Sequence, residues 1–302
     1  MIGSWLSLFS CISLAQNNFQ INELCQVNIE QQQKVQVPSH LEIPEAGWQP
    51  VTLPDNWKNN WPKYNGGAWY KIRWGWSCQD NIRLAEPIVF GIDYLNSAGA
   101  VFLNDDLLWS DQNLQEPLSK SWNVPRYWIL PIAGLKQTDN ELLIYVRGYS
   151  FQGAGLGRIE FHNIMANDQH YSKKIWDRRT LFQINMILSG TIGVISLIIW
   201  LFRRSETTFG WLALSSLLWI LFISNVLTTE NFPFPSSIWA SKANLIFFIL
   251  YMHFFCLYLI RFLKQKFQRL ERGLIGVTAL FSVFIIASSL EHLEAVLSVA
   301  FV

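Results

Sequence analysis

The sequence predicts an all-β sandwich followed by an α-helical transmembrane bundle. Residues 16–165 contain short runs of β-branched and aromatic residues, separated by Pro, Gly, Asn and Asp, which is the pattern of several short strands. Residues 180–302 contain long apolar runs, and a helix needs ~20 mostly apolar residues to cross a bilayer. The chain is therefore predicted to be a membrane protein with a folded domain ahead of its helices.

The first 15 residues are predicted to be a signal peptide. The stretch is apolar, and Ser13 and Ala15 are the small residues that signal peptidase prefers at positions −3 and −1. An uncleaved anchor is the alternative, since no Lys or Arg precedes the apolar core. A lipoprotein modified at Cys11 is disfavoured because the bulky Phe9 lies just before it.

Residues 16–165 favour a sandwich or jelly roll of antiparallel strands. In the run from Trp69 to Trp74, polar and apolar residues alternate, which puts Trp69 and Lys71 on one face and Tyr70 and Ile72 on the other. The sequence Asn104-Asp105-Asp106, between two apolar runs, predicts a hairpin turn.

The chain has four cysteines, and their positions predict one disulfide. Cys11 lies in the predicted signal peptide and Cys256 in an apolar run, which leaves Cys25 and Cys78 in the exported domain. Thiols oxidise outside the cytoplasm, so we predict a Cys25–Cys78 disulfide. Two separate buried thiols are the alternative, because sequence does not show the geometry of a bridge.

The loop charges predict how the helices lie in the membrane. Basic residues follow the first and third apolar runs, at Arg203, Arg204 and within 261–272, whereas the loop after the second run has no Lys or Arg. Short basic loops stay in the cytoplasm, so the sandwich is predicted to be outside. Residues 166–179 form a polar connector to the membrane. The predicted spans are 181–202, 208–227, 238–260 and 273–290, with a fifth expected to begin at residue 295.

Candidate ligand-binding residues come from the aromatic loop after residue 54. Trp57, Trp61 and Tyr64 lie near Asp55 and several Asn residues, and aromatic faces beside polar groups suit sugars. For any single Trp of the domain, we favour the alternative that it fills the core or faces the membrane surface, and Trp57, Trp61 and Tyr64 are the best exceptions. The full candidate set is Asp55, Trp57, Trp61, Tyr64, Asn104, Trp109 and Arg126. The five histidines show no ligand spacing to one another, so no metal site is predicted.

Several ordered motifs resemble known families. The segments LPDNW and GAWY, at 53–57 and 67–70, resemble the galactose-binding-like jelly rolls found in family 2 glycosidases and bacterial sensors. Together with EPLSKSWNVPR at 116–126 and NELLIYVRG at 140–148, ahead of membrane helices, they resemble seven-transmembrane receptors with diverse intracellular signalling modules. This resemblance implies a bacterial inner-membrane protein with a periplasmic sensor domain. Four complete spans and no output module depart from the family, so the sequence is expected to be the sensing part of a longer protein.

Sensory input is the function that the resemblance implies. The expected ligand is a small molecule such as a carbohydrate. The expected output module is a histidine kinase or a diguanylate cyclase, and a receptor with either module is expected to be a homodimer. A membrane-tethered binding or scaffold protein is the alternative, and an envelope glycosidase is disfavoured because no convincing carboxylate pair is present. The expected partners are thus the ligand and the lipid bilayer. The net charge of +1 gives no argument for nucleic acid, and no cofactor or enzymatic activity is expected.

Overall fold

The computed structural model describes residues 17–37, 42–79, 86–264 and 267–289. The predicted signal peptide and the expected start of a fifth span lie outside these residues. The described chain forms a β-sandwich and then a set of long apolar helices, so the predicted fold class is confirmed.

One face of the sandwich is a seven-stranded antiparallel sheet with the order β1-β2-β4-β10-β7-β8, and β3 pairs with β2 beside β1. Its strands are β1 Asn18–Gln20, β2 Cys25–Val37, β3 Gln49–Pro50, β4 Asn65–Cys78, β7 Ala98–Leu103, β8 Asp106–Ser110 and β10 Asn140–Tyr149.

The opposite face is a three-stranded antiparallel sheet with the order β12-β5-β9, accompanied by a two-stranded pair of β11 and β6. These strands are β5 Val89–Ile92, β6 Leu95–Asn96, β9 Arg126–Ile129, β11 Gly155–Leu156 and β12 Ile159–His162. A short helix, α1 Trp57–Asn60, precedes β4.

The core lies between the two sheets because alternate residues of each strand point inward. Tyr70, Ile72 and Trp74 of β4 pack there with Phe90 and Phe161 of the smaller sheet. Trp69 belongs to a second apolar cluster with Val35 and Tyr145, on the other face of the large sheet. The predicted alternation along β4 is therefore confirmed.

The predicted hairpin is also present, between β7 and β8. Asn104 and Asp105 have φ values of 46° and 74°, the left-handed region that tight hairpin turns need. Asn and Asp tolerate this region better than other residues with a side chain.

A disulfide joins Cys25 at the start of β2 to Cys78 at the end of β4, as predicted, with a Cα–Cα distance of 4.1 Å. The two cysteines face each other in the register of the two strands. The bridge therefore holds the ends of the two longest strands of the large sheet together.

A single continuous helix leads from the sandwich into the apolar region. It consists of α2 Ile164–Ile175, a π-helical turn Trp176–Thr180 and α3 Leu181–Phe202. Asn163, the one residue between β12 and α2, caps the helix by accepting a hydrogen bond from Ala166 N at 2.7 Å. The predicted polar connector is thus helical.

Three further helices follow: α4 Thr207–Leu227, α5 Ser237–Phe262 and α6 Gln268–Ala287. Within the described residues, four helices are long and apolar enough to cross a membrane. The predicted spans 181–202, 208–227 and 238–260 lie within α3, α4 and α5, whereas α6 begins five residues before the predicted fourth span and ends at Ala287. Each helix packs against the next. Polar pairs join them, such as Trp219 Nε1 donating to Asn185 Oδ1 at 2.7 Å, and His253 Nδ1 lying 3.0 Å from Thr278 Oγ1.

The disulfide gives a test of the sandwich. Its cysteines are 53 residues apart, and closing a loop of that size restricts the unfolded chain. We expect the double variant Cys25→Ser, Cys78→Ser to lower the free energy of unfolding by about 2–4 kcal/mol. Urea unfolding of the detergent-solubilised chain, followed by tryptophan fluorescence, measures this. Cys256→Ser is the matched control and should leave the sandwich transition unchanged; equal losses in both variants would contradict the expectation.

Candidate functional site at the junction of sandwich and bundle

The aromatic loop predicted to bind ligand is built into the core. Asp55 is 2% exposed and its Oδ2 lies 2.8 Å from Nζ of Lys34, which is 4% exposed. The same carboxylate accepts hydrogen bonds from Tyr70 at 2.7 Å and from Asn60 at 2.7 Å. The Asp55 carboxylate is therefore fully bonded within the domain and is not available to a ligand.

The aromatic residues of this loop serve the same network. Trp57 is fully buried and donates its indole N–H to the Tyr70 hydroxyl at 2.7 Å. The Tyr64 hydroxyl lies 2.7 Å from the carbonyl oxygen of Gly67, and Nζ of Lys34 lies 4.0 Å from the centre of the Trp61 ring. Trp57 thus offers no free face for a sugar. The bonds of the buried Asp55 carboxylate to Lys34 and Tyr70 hold the loop against the core.

The other predicted residues lie in two different settings. Asn104 occupies the β7–β8 turn, where its Oδ1 accepts from Glu141 N at 2.9 Å. The Arg126 guanidinium lies 4.0 Å from the centre of the Trp109 ring and 3.5 Å from Asp111 Oδ1. Burial lowers the pKa of Arg126, although the Asp111 carboxylate opposes this shift. The structure therefore distributes the predicted residues over separate clusters.

Asp111 fixes the segment that leaves the sandwich after β8. Its Oδ2 accepts from Gly99 N at 2.9 Å and from Ser121 Oγ at 2.8 Å. Burial raises the pKa of Asp111, and the hydrogen bond from Ser121 works against that rise. Both ends of the intervening segment are thereby held to the sheet.

The held segment lies against the connection between α4 and α5. Leu118 N donates to Ser237 Oγ at 2.9 Å, and Asn231 Nδ2 donates to Leu118 O at 2.6 Å. Glu116 Oε2 accepts from Ser237 N at 2.7 Å. We call these contacts between residues 113–121 and residues 225–237 the junction seam.

Glu230 extends the junction seam. Its two carboxylate oxygens accept from Ser119 Oγ at 2.7 Å and from Asn113 Nδ2 at 2.8 Å. Lys120 N donates to Thr229 O at 2.7 Å. A buried polar group that loses its partner costs about 1–3 kcal/mol, so these bonds resist separation of the two parts.

Lys120 is the cationic group of the junction seam. Its Nζ donates to Asn225 Oδ1 and Thr228 Oγ1, each at 2.9 Å. Burial lowers the pKa of Lys120 to about 8, although the Glu230 carboxylate opposes this shift. The amine therefore titrates closer to neutrality than an exposed lysine.

The turn at the start of the first apolar helix supplies a second contact. Asn123 Nδ2 donates to Arg178 O at 2.6 Å, and Arg178 donates to Asp93 O at 2.7 Å. Arg179 donates to Leu227 O at the end of α4, also at 2.7 Å. The π-helical turn is thus bonded both to the sandwich and to the neighbouring helix.

Beside the junction seam lies a cavity of about 410 Å³, which we call the junction cavity. At the edge of the junction cavity, Gln152 of the sandwich contacts α5, because the Nε2 of Gln152 donates to Ser241 Oγ at 2.8 Å. Both parts of the chain line it: Asn96, Ser97, Ser119, Lys120, Trp122, Phe151 and Gln152 from the sandwich, and Phe222, Asn225, Val226, Asn231, Ser237, Ser241, Asn244 and Leu245 from the helices.

The junction cavity combines aromatic side chains with amides, hydroxyls and one amine. Among its amides, Asn244 has a buried Oδ1 with no hydrogen-bond partner. A small hydroxylated molecule suits this lining, because a few polar groups orient a ligand while aromatic faces bury its apolar surface. This cavity is therefore the candidate functional site.

Sequence reasoning reached these residues only indirectly. The family-like segment at 116–126 contains Ser119, Lys120 and Trp122, but its motif carries no indication that it contacts helices. Asn225 and Asn244 lie within apolar runs of the sequence, where a lone amide is the only available signal.

The structure also contains a polar cluster that the sequence does not predict. No metal site was predicted, yet Glu160, His162 and His170 bring their ligand atoms within 4.8 Å of one another. Burial acts to raise the pKa of Glu160, but hydrogen bonds from His162 and Lys174 and nearby positive charge lower it to about 2. The carboxylate is therefore ionised at neutral pH.

The fold and the junction define a membrane protein in which a β-sandwich is bonded to a bundle of transmembrane helices. Residues 180–302 match the family described as 7TM diverse intracellular signalling. The helical part of the chain is therefore similar to this family of seven-transmembrane receptors, as the sequence motifs predicted. No curated protein matches the chain.

Solved structures that match part of this chain include bacterial β-glucuronidases. The Faecalibacterium prausnitzii enzyme is 14% identical with a TM-score of 0.32, and the match covers 43% of this chain and 22% of that one. The Bifidobacterium dentium enzyme, complexed with coumarin-3-O-glucuronide, is 15% identical with a TM-score of 0.33, over 43% and 21% of the two chains. This chain thus spans about a fifth of the length of these enzymes.

The buried pair of Lys34 and Asp55 gives a test of the loop's structural role. Asp55→Asn leaves the Lys34 ammonium buried without a counter-charge, so we expect the free energy of unfolding to fall by about 3–5 kcal/mol. Urea unfolding measures the loss. Asp106→Asn, at the exposed first residue of β8, is the control and should change stability by less than about 0.5 kcal/mol. Similar stability of the two variants would mean that the charge pair is not structural.

The lowered pKa of Lys120 gives a pH test. The pKa is about 8 in the folded chain and ~10.4 in an unfolded one, so the unfolded chain holds more protons between these values. Stability therefore rises with pH in that window, and Lys120→Met removes this contribution. We expect the parent to gain stability relative to Lys120→Met between about pH 8 and 10 in thermal unfolding. Lys136→Met, at an exposed lysine, is the control, and its stability should change with pH as that of the parent does. The expectation is refuted if the stability of Lys120→Met changes with pH in the same way.

Proposed function

We propose that this chain is the sensory input portion of a membrane receptor, in which a small molecule binds in the junction cavity. The observation that carries the proposal is that residues of the sandwich and of α4 and α5 line one cavity. A ligand held there contacts both parts at once. Its affinity then depends on how the two parts are arranged, which is what coupling of binding to helix movement requires.

The cavity lining supports a carbohydrate or another small hydroxylated ligand. Trp122, Phe151 and Phe222 supply aromatic surface, and the amides of Asn225 and Asn244 supply donors and acceptors. This lining takes the place of the loop containing Trp57, whose groups are internally satisfied. We propose no catalytic role for the chain itself and no nucleic-acid partner.

The family and the loop charges support the rest of the proposal. The sandwich, which we assign to the galactose-binding-like jelly rolls, lies in the periplasm, and the helices lie in the bacterial inner membrane. Arg203, Arg204 and Arg261 then face the cytoplasm, in keeping with the positive-inside rule. A histidine kinase or diguanylate cyclase module is the proposed output, with the receptor acting as a homodimer in the bilayer.

Ligand screening tests the proposal. We expect a mono- or oligosaccharide to raise the melting temperature of the full chain in detergent. Asn244→Ala and Trp122→Ala should each weaken binding about tenfold, since one lost hydrogen bond or aromatic contact is worth about 1.4 kcal/mol. Trp61→Ala is the matched control, because it removes a tryptophan of the originally predicted loop and should leave affinity unchanged.

Two outcomes would overturn the site. One is binding that survives both cavity variants, and the other is binding lost only with Trp61→Ala, which would restore the loop as the site. The signalling part is tested separately by the gene downstream of Val302. An in-frame kinase or cyclase supports a receptor, whereas a stop followed by an unrelated gene favours the membrane-tethered binding protein.

A further inference from the structure

The cluster of Glu160, His162 and His170 is produced by the joint between β12 and α2. Residues Ile159 and Phe161 of β12 point into the core, so Glu160 and His162 project from its outer face. After the single residue Asn163, α2 begins and carries His170 back over this face. Three potential ligands from the two elements thereby meet outside the core.

The distances between these side chains suit a metal ion. Glu160 Oε2 lies 2.9 Å from His170 Nε2 and 3.3 Å from His162 Nε2. All three ligand atoms lie within 4.8 Å of one another. Tetrahedral zinc with bonds of about 2.0–2.1 Å places its ligands about 3.3 Å apart, so only small side-chain rotations are needed.

A small cavity adjoins the cluster. It has a volume of about 10 Å³, and Glu160, His162 and His170 line it together with Asn167. A space of about 10–15 Å³ accommodates one water molecule, and hence one ion. Asn167 is 6% exposed, so the cavity reaches beneath the surface of the joint.

Neighbouring charged side chains compete with a metal ion for the Glu160 carboxylate. Lys174 Nζ lies 2.6 Å from Glu160 Oε2 and also 2.6 Å from Asp93 Oδ1. Asp93 therefore retains the ammonium when a metal takes the Glu160 carboxylate. Arg126 also borders the small cavity, and its guanidinium is directed toward Asp111.

We infer that Glu160, His162 and His170 form a binding site for a divalent transition-metal ion, with zinc as the best match. Two imidazole nitrogens and one carboxylate oxygen are ligands that Zn²⁺ favours, and they leave a fourth position for water or an external donor. The bound ion links the last strand of the sandwich to the helix that enters the membrane. This site is independent of the ligand proposed for the junction cavity.

Zinc titration of the full chain in detergent tests the inference. We expect one Zn²⁺ per chain by isothermal titration at pH 7.5, after purification with a tag that contains no histidine. His170→Gln, at a side chain that is 46% exposed and so tolerant of change, should weaken binding about 100-fold. Glu160→Gln should act similarly, and Lys174→Met should tighten binding because it removes the competing cation.

The matched control is Glu141→Gln, which alters an ion-paired glutamate on the large sheet and should bind zinc like the parent. Circular dichroism checks that each variant is folded. The inference is overturned if the parent binds no zinc under these conditions. It is also overturned if folded His170→Gln and Glu160→Gln bind as tightly as the parent, since the ion would then lie elsewhere.

Discussion

The segment between β8 and β9 carries the contact between sandwich and bundle, because it is held at both ends by Asp111 and bonded along its length to the α4–α5 connection. Leu118, Ser119 and Lys120 have donors or acceptors that face Ser237, Glu230 and Thr229. Such groups are costly to leave unpaired in a water-poor interface, so the contact favours one register. The position of the cavity beside it follows from that register.

Two of the charged clusters of the sandwich have different consequences. Lys34 and Asp55 are buried and fully paired, and they organise a loop that looks like a recognition surface in the sequence. Glu160 and His170 lie at the joint with α2, where partial exposure leaves their ligand atoms accessible. Burial therefore distinguishes a structural ion pair from a group that can exchange its partner.

The sequence was sufficient for features that depend on local pattern. The alternation at Trp69–Trp74 follows from the period of the apolar residues, and the hairpin at Asn104 follows from its turn residues. The existence of the four long helices follows from the length of the apolar runs, and the disulfide from the cysteines left outside the membrane. It was insufficient where a distant strand decides the outcome. Trp57 is buried against Tyr70 of β4, and Tyr70 together with Lys34 of β2 binds Asp55. The junction cavity and the histidine cluster likewise require tertiary neighbours that no spacing reveals.

The continuous helix from Ile164 to Phe202 makes the sandwich part of a lever. Its 39 residues span about 58 Å at 1.5 Å per residue. Beyond the turn at Trp176–Thr180, the 22 residues of α3 span about 33 Å, so a tilt of about 5° about that turn would move the far end by about 3 Å. The wide turn at Trp176–Thr180 acts as the fulcrum, because Asn123 and Leu227 hold it by its backbone and by Arg179. In the receptor proposed above, movement of the sandwich would thereby be converted into displacement at the far end of α3.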